Sequence, residues 1–365
     1  MDIQIAADRC FAADYADGRT KFLDAAEGAG AILTRYDNPT AGPAGEALST
    51  DCAWIGPKDA SRVLVAISAT HGAEGFCGSG AEVDFLRGAR PPLPPGVAAL
   101  IVHAINPHGF AWLRRVTEEG VDLNRNFADF TKPLPENPGY DALADALVPD
   151  DPSGPPFESA DARLMAYRAE HGERPFQLAV SGGQYRHPKG LFYGGTAPVW
   201  SRRTTEAIVA DFELARRELV AVVDFHTGLG PFGYGEPICD HAPGSLGLAR
   251  AKQWYGPSVT EPAAGTSTSL AKDGLSDFGW QRMLGDRVSF VALEFGTYPL
   301  PAILNALRVD HWLHRGGPPD WNAPQTKKIK AQVRQAFYPD TPDWREMVLF
   351  RARQVLRQAL TGLGG

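Results

Sequence analysis

The sequence has little of what most directly marks a partner or a compartment. Cysteine is scarce, with four in 365 residues (Cys10, Cys52, Cys77 and Cys239). They are widely spread and form no Cys-x-x-Cys pair, which argues against a zinc knuckle or a disulfide framework and makes a reduced, cytoplasmic setting the expectation. Positive charge is not in excess. There are 36 Lys and Arg against 43 Asp and Glu, a net charge of −7. A broad nucleic-acid footprint needs a basic face, so no nucleic-acid partner is expected. No run of about 18 apolar residues occurs, so no membrane span is expected. The start (Met1, Asp2, Ile3 and Gln4, then Asp8 and Arg9) lacks a basic stretch followed by an apolar one, and no secretory signal is read from it. No glycine-rich phosphate fingerprint follows any apolar run, which disfavours a nucleotide-binding protein.

What is present points to a folded core with long, shaped loops. Hydrophobic residues make up 44% and charged residues 22%. The 39 glycines and 30 prolines are about 19% of the chain, against a usual value of roughly 12%. Five short runs are apolar on both faces, as strands are when helices cover a sheet from both sides. They are Val63–Ser68, Val97–Ile105, Phe176–Val180, Leu219–Phe225 and Val288–Leu293. Helical patterns lie between them at Gly80–Arg87, Ser159–His171, Val199–Arg217 and Gly244–Tyr255. Alternation of this kind indicates an α/β fold. Thr131–Pro156, rich in Pro and Asp, is expected to be a surface loop, and Ser181–Gly195 a glycine-rich loop before a helix. From about residue 300 the pattern is mainly helical, over Pro301–Arg315, Gln325–Phe337 and Asp343–Leu360. Those helices are open to reading as a cap or as the surface of a homo-oligomer. No linker divides the chain, so residues 1–365 are expected to form a single domain.

Four groups of residues could carry chemistry. His71 and Glu74 stand in a His-x-x-Glu spacing just after the first apolar run, where ligands of open α/β sheets bind. By itself the pair is weak, because about one such spacing arises by chance in this composition, and a Glu at a helix N-terminus is electrostatically ordinary. His226 follows another apolar run and precedes a Gly-x-Gly turn. Two histidines and one carboxylate with an open fourth position form the ligand set of a catalytic zinc. Glu294 closes the run Val288–Leu293. A carboxylate there is costly to bury unless it is paired or used, and it is a candidate general base. Arg114, Arg115 and Arg125 fall within twelve positions, and arginine suits carboxylate and oxyanion recognition.

The order His-Gly-Ala-Glu-Gly (71–75), Asn-Pro-His-Gly-Phe (106–110), Asp-Leu-Asn-Arg-Asn-Phe (122–127), Asp-Phe-His-Thr-Gly (224–228) and Leu-Glu-Phe-Gly-Thr (293–297) resembles the zinc carboxypeptidase superfamily. That superfamily includes carboxypeptidase A and the succinylglutamate desuccinylase/aspartoacylase group. The loops at 181–195 and 226–236 look closer still to a bacterial branch without assigned function. The resemblance implies a mixed, mostly parallel central sheet with helices on both faces. It also implies one zinc ion held by His71, Glu74 and His226, with Glu294 as the catalytic glutamate. Asn124 and Arg125 match the pair that grips a substrate carboxylate, and Asp122 matches the carboxylate that orients the first histidine. Arg115, or else Arg114, matches the arginine that polarises the scissile carbonyl.

The activity so implied is hydrolysis of an amide beside a free carboxylate, carboxypeptidase-like and on small peptides. An N-acyl amino acid deacylase of the aspartoacylase type is the alternative, and a non-catalytic zinc-binding receptor or scaffold is the rival from another class. One departure stands out. The peptidases of the superfamily carry a mobile tyrosine some twenty residues before the catalytic glutamate, and no tyrosine lies between Tyr255 and Glu294. Tyr234, Tyr255 and Tyr298 are the candidates to replace it. His103 is expected in the core, and His241, beside Asp240, at the edge of the site.

Overall fold

The apolar runs pair into the middle of one sheet. The computed structural model describes residues 3–365. Its strands are β1 (Ile32–Ala41), β2 (Ala47–Ile55), β3 (Arg62–Ile67), β4 (Val97–His103), β5 (Leu219–Phe232), β6 (Gly235–Ile238) and β7 (Val288–Gly296). The order across the seven-stranded sheet is β1-β2-β4-β3-β5-β7-β6. The central β4, β3, β5 and β7 are mutually parallel, while β1, β2 and β6 pair antiparallel at the two sides. The fold is thus α/β with a mixed, mostly parallel sheet.

Period-two alternation sends each central strand into two cores. Val63, Val65 and Ile67 of β3 meet Val220 and Val222 of β5, together with Trp280 and Ile208 from helices on one face. Leu64 and Ala66 meet Ala221, Val223 and Phe225 on the other, against Phe76, Val348 and Leu356. Helices therefore cover both faces, which is why those strands read as unbroken apolar runs. The helix Pro342–Gly364 lays Trp344, Val348, Val355 and Leu363, all fully buried, against the second face. It is part of that core, and the Trp344 indole donates to Gly296 O at 2.9 Å.

Three expectations are corrected. Phe176–Val180 is not a strand but part of the helix Glu173–Ser181, which buries Phe176, Ala179 and Val180. That i, i+3, i+4 set fits a helix face, and a run so short carries no period of its own. Thr131–Pro156 is not all loop. It holds the helix Pro138–Leu147, with Asn137 Oδ1 accepting from Tyr140 N at 3.0 Å and proline in the first turn, a start signal visible in the sequence. The helix expected over Val199–Arg217 stops at Asp211, because Glu213 adopts a left-handed conformation (φ 51°) that ends it. β1 and β2 were not foreseen. β1 is mostly exposed, and β2 buries Ser49, Thr50 and Asp51 among its apolar residues, so neither shows a hydrophobic pattern. Among the described residues, no helix is long and apolar enough to cross a membrane.

Candidate metal centre

β3 delivers the chain at Ile67 to the turn carrying His71, then to a single helical turn at Gly72–Glu74 and the helix Gly75–Leu86. Gly72 packs against the Asn106–Phe110 turn so closely that a Cβ would stand 1.9 Å from the Gly109 carbonyl carbon. Only glycine allows that contact. The neighbouring amide of Ala73 donates to Arg114 O at 2.8 Å, tying the two motifs together. His226 lies within β5, not past its end as the sequence suggested, and is register-paired with Glu294 of β7. Two parallel strands thus present these side chains next to each other on one face.

His71, Glu74 and His226 converge, with one ligand atom from each lying within 4.8 Å of the others. Glu74 Oε1 is 2.8 Å from His71 Nδ1, and its Oε2 is 3.3 Å from His226 Nδ1. The two Nδ1 atoms are 3.2 Å apart. Both rings are buried, at 4% and 3% exposure. Without a cation one ring can donate to the other; with both facing nitrogens bare, as ligand atoms are, their lone pairs repel. A cation shared with Glu74 relieves the conflict, and the donor set suits zinc. The far nitrogens meet carboxylates: His71 Nε2 is 3.2 Å from Asp122 Oδ1, and His226 Nε2 is 3.0 Å from Asp224 Oδ2, the latter without hydrogen-bond alignment. Burial would raise the Glu74 carboxyl, but the two imidazoles outweigh it and hold the group below the usual carboxylate range. Its Oε2 also accepts from Thr227 N at 2.9 Å.

Asp122 is fully buried and caps the turn Leu123–Arg125, accepting from Asn124 N at 2.9 Å. Arg115 donates from Nε to Asp122 Oδ2 at 2.9 Å and from Nη1 to Glu74 Oε1 at 3.1 Å. Its Nη2 is 2.7 Å from His71 Nε2. That last contact and the Asp122 contact ask for opposite tautomers of His71. With Nδ1 serving as a ligand, the ring proton sits on Nε2 and goes to Asp122, which leaves Arg115 Nη2 for the cavity. Arg114, next in sequence, turns elsewhere: its Nε donates to Asp310 Oδ2 at 3.2 Å, and it does not line the cavity. Of the two, only Arg115 lines the cavity.

The site opens into a cavity of about 660 Å³. His71, Glu74, Arg115, Asn124, Arg125, His226 and Glu294 all line it. Burial first, and the Glu74 carboxylate second, push the Glu294 carboxyl up to about 7. Its Oε1 accepts from Leu229 N at 2.9 Å. Asn124 Oδ1 accepts from Ser276 N at 2.7 Å. Arg125 is held by the carbonyls of Asn124 (2.6 Å) and Ser181 (2.7 Å) and has no carboxylate partner among the described residues.

No tyrosine lines this cavity among the described residues. Tyr255 is 2% exposed in the core and Tyr234 is 46% exposed. His241 accepts from Phe290 N at 3.0 Å and packs away from the cavity, while its neighbour Asp240 lines it. His103 is fully buried, as expected. Lys272 was missed altogether. It lines the cavity from the loop about twenty residues before Glu294, and burial, with Arg125 and Arg115 adding, pushes its amine down to about 7. A lone lysine in a polar loop carries no sequence signal. The apolar side of the cavity, with Leu164, Phe176, Ile303 and Leu307, was likewise missed.

A family model described as "protein of unknown function (DUF2817)" matches residues 11–351. No curated protein matches the chain. Solved structures similar to it include a candidate metallopeptidase of Shewanella amazonensis, at 15% identity over 84% of this chain and 94% of that one, with a TM-score of 0.41. Bovine thrombin-activatable fibrinolysis inhibitor, solved with tick carboxypeptidase inhibitor, is 12% identical over 94% and 99%, with a TM-score of 0.42. Succinylglutamate desuccinylase of Chromobacterium violaceum is 14% identical over 88% and 74%, with a TM-score of 0.36.

Proposed function

The chain belongs to the DUF2817 family, and we propose that it is a zinc-dependent hydrolase that cleaves an amide bond next to a free carboxylate, acting on small peptides. One observation carries this reading. Two facing imidazole nitrogens and the Glu74 carboxylate converge beside a buried acid, Glu294, at the wall of a cavity that also holds Arg125, an arginine with no carboxylate partner among the described residues. His71, Glu74 and His226 would hold the zinc, which when bound polarises a carbonyl and acidifies water. Glu294 takes a proton from the attacking water and returns it to the leaving amine, a role suited to a carboxyl whose pKa burial has raised toward neutrality. Arg115 offers Nη2 to the developing oxyanion, and Arg125 with Asn124 holds the substrate carboxylate.

An N-acyl amino acid deacylase is the second reading, favoured by the apolar side of the cavity. The four free, buried thiols support a reducing, cytoplasmic setting. The test is zinc analysis of the purified protein followed by a panel of dipeptides and N-acyl amino acids. At least one class should be turned over, and Glu294→Gln should keep the zinc and lose the turnover. A Glu294→Gln variant with full activity would end the mechanism. Bound zinc with no turnover across the panel would leave a binding protein in place of an enzyme.

A further inference from the structure

The cavity is chemically two-sided. On one side the helices Gly154–His171, Glu173–Ser181 and Leu300–Leu313 supply Leu164, Phe176, Val180, Ile303 and Leu307. These belong to one apolar cluster. The charged residues on that side are paired with each other, Arg308 with Asp161 at 2.6 Å and Arg168 with Glu173. It therefore offers apolar surface and no free charge.

The other side differs. The loop just before the helix Ser276–Leu284 carries Ser269 and Lys272 into the cavity beside Asp240 and Arg125. That loop is fastened at both ends. Buried Glu236 accepts from Ser267 Oγ at 2.8 Å and Thr268 N at 3.1 Å, and Gly274 O accepts from Phe127 N at 3.0 Å. Gly274 has φ +71°, and a Cβ on it would lie 2.3 Å from Arg125 O. The loop is thus seated against the Arg125 backbone, and Lys272 is presented by a fixed frame.

Lys272 Nζ donates to Ser269 Oγ at 3.1 Å and has no carboxylate within salt-bridge distance among the described residues. This contrasts with the buried cations outside the cavity. Lys330 meets Asp310 at 2.6 Å and Arg114 meets the same carboxylate at 3.2 Å. Among the described residues the other buried cations are paired, yet at the cavity the buried Arg125 and the half-buried Lys272 have no carboxylate partner. A desolvated cation without a counter-ion is unfavourable, and a ligand anion removes that cost. Asp240 faces the same space and offsets one charge when ionised, leaving about one positive charge for the ligand.

We propose that Lys272 is a specificity-determining residue that, with Arg125, receives the single carboxylate of a substrate whose other end is an uncharged apolar acyl group lying against the helical side. This rests on the reading of the cavity as the hydrolase site and favours the second of the two substrate readings above, N-acyl amino acids, here with an apolar acyl chain, over small peptides. Free dipeptides fit less well, because the helical side has no unpaired acid to receive their α-ammonium.

The test is ligand binding, read without turnover. The probe is the ketomethylene analogue of hexanoylglycine, in which CH2 replaces the scissile NH, compared with its uncharged primary amide. Calorimetry on the purified protein should show the carboxylate binding more tightly than the amide. Lys272→Met should weaken the carboxylate about tenfold or more and leave the amide within about twofold, as loss of a charge-assisted hydrogen bond implies. Lys272→Arg should restore most of the difference. A merely structural lysine would move both ligands together. An unchanged carboxylate-to-amide ratio in Lys272→Met, or no binding of either probe by the parent, overturns the proposal. Charge-dependent binding with no turnover of any amide would defeat the hydrolase reading alone. Turnover with an unchanged ratio would defeat the Lys272 proposal alone.

Discussion

Asp122→Asn tests the site at its most constrained point. The substitution keeps the shape of the side chain but removes its charge and turns one acceptor into a donor. Asp122 Oδ1 faces Asn124 N at 2.9 Å and His71 Nε2 at 3.2 Å, and Oδ2 faces Arg115 Nε at 2.9 Å. Every one of these neighbours is a donor once His71 Nδ1 serves as a ligand. The new NH2 must therefore face a donor whichever way it turns, and at 0% exposure no water relieves the clash. Although burial pushes the Asp122 carboxyl up, Arg115, His71 and Arg125 hold it well below its usual range, so the charge being removed is one the site uses. Removing one partner of a buried ion pair costs about 3–5 kcal/mol of stability. Loss of the group that orients a ligating histidine costs about 10–100-fold in metal affinity, or roughly 1.4–2.7 kcal/mol.

Zinc affinity is measured by competition with a chromophoric chelator, and stability by urea unfolding of the chelated protein. Asp310→Asn is the control. Asp310 is equally buried, at 1% exposure, and binds Arg114 and Lys330 away from the ligand set. Its loss should lower stability by a comparable amount and leave zinc affinity unchanged. The reasoning fails if Asp122→Asn binds zinc as tightly as the parent, or if Asp310→Asn weakens zinc equally.

Other expectations follow from the same geometry. Chelation should lower the melting temperature, since a cation at 100 times its Kd adds about 2.7 kcal/mol, and His226→Ala should abolish that chelator effect in a calorimetric scan. Gly72→Ala should destabilise the fold by several kcal/mol and lose zinc, because its Cβ would sit 1.9 Å from the Gly109 carbonyl carbon; a stable, zinc-binding Gly72→Ala would show that the two turns can separate. His103 has its pKa pushed down to about 4 by burial. The unfolded chain, with a histidine pKa near 6.5, therefore binds a proton the folded chain does not take between about pH 6.5 and 4, and stability falls as pH drops through that window. His103→Gln should flatten that fall by up to about 3 kcal/mol in urea midpoints compared across the window; an unchanged slope would mean His103 does not titrate this way.

Much was legible in the chain before it was folded. The four central strands appear as Val- and Ala-rich runs because both of their faces are buried, and burial on both faces removes polar residues from every position. The positions of His71, Glu74, His226 and Glu294 near the carboxyl ends of those strands were suggestive, because such ends in a parallel sheet fall on one edge, and the order of the motifs, through the resemblance, joined them into one site. Other features depended on packing. Arg114 and Arg115 are adjacent and chemically identical, and only the side on which Asp310 and Asp122 lie separates them. β1 and β2 are held by ladder hydrogen bonds and neighbours, not by a hydrophobic pattern of their own. Lys272 belongs to the cavity because Glu236 and Gly274 fasten its loop there, and a fastening of that kind leaves no periodicity to read. The sequence therefore determined which strands lie at the centre and which residues could share an ion, since burial and spacing are local constraints. The tertiary structure decided which cations remain unpaired in the cavity, since pairing depends on partners brought in from distant parts of the chain.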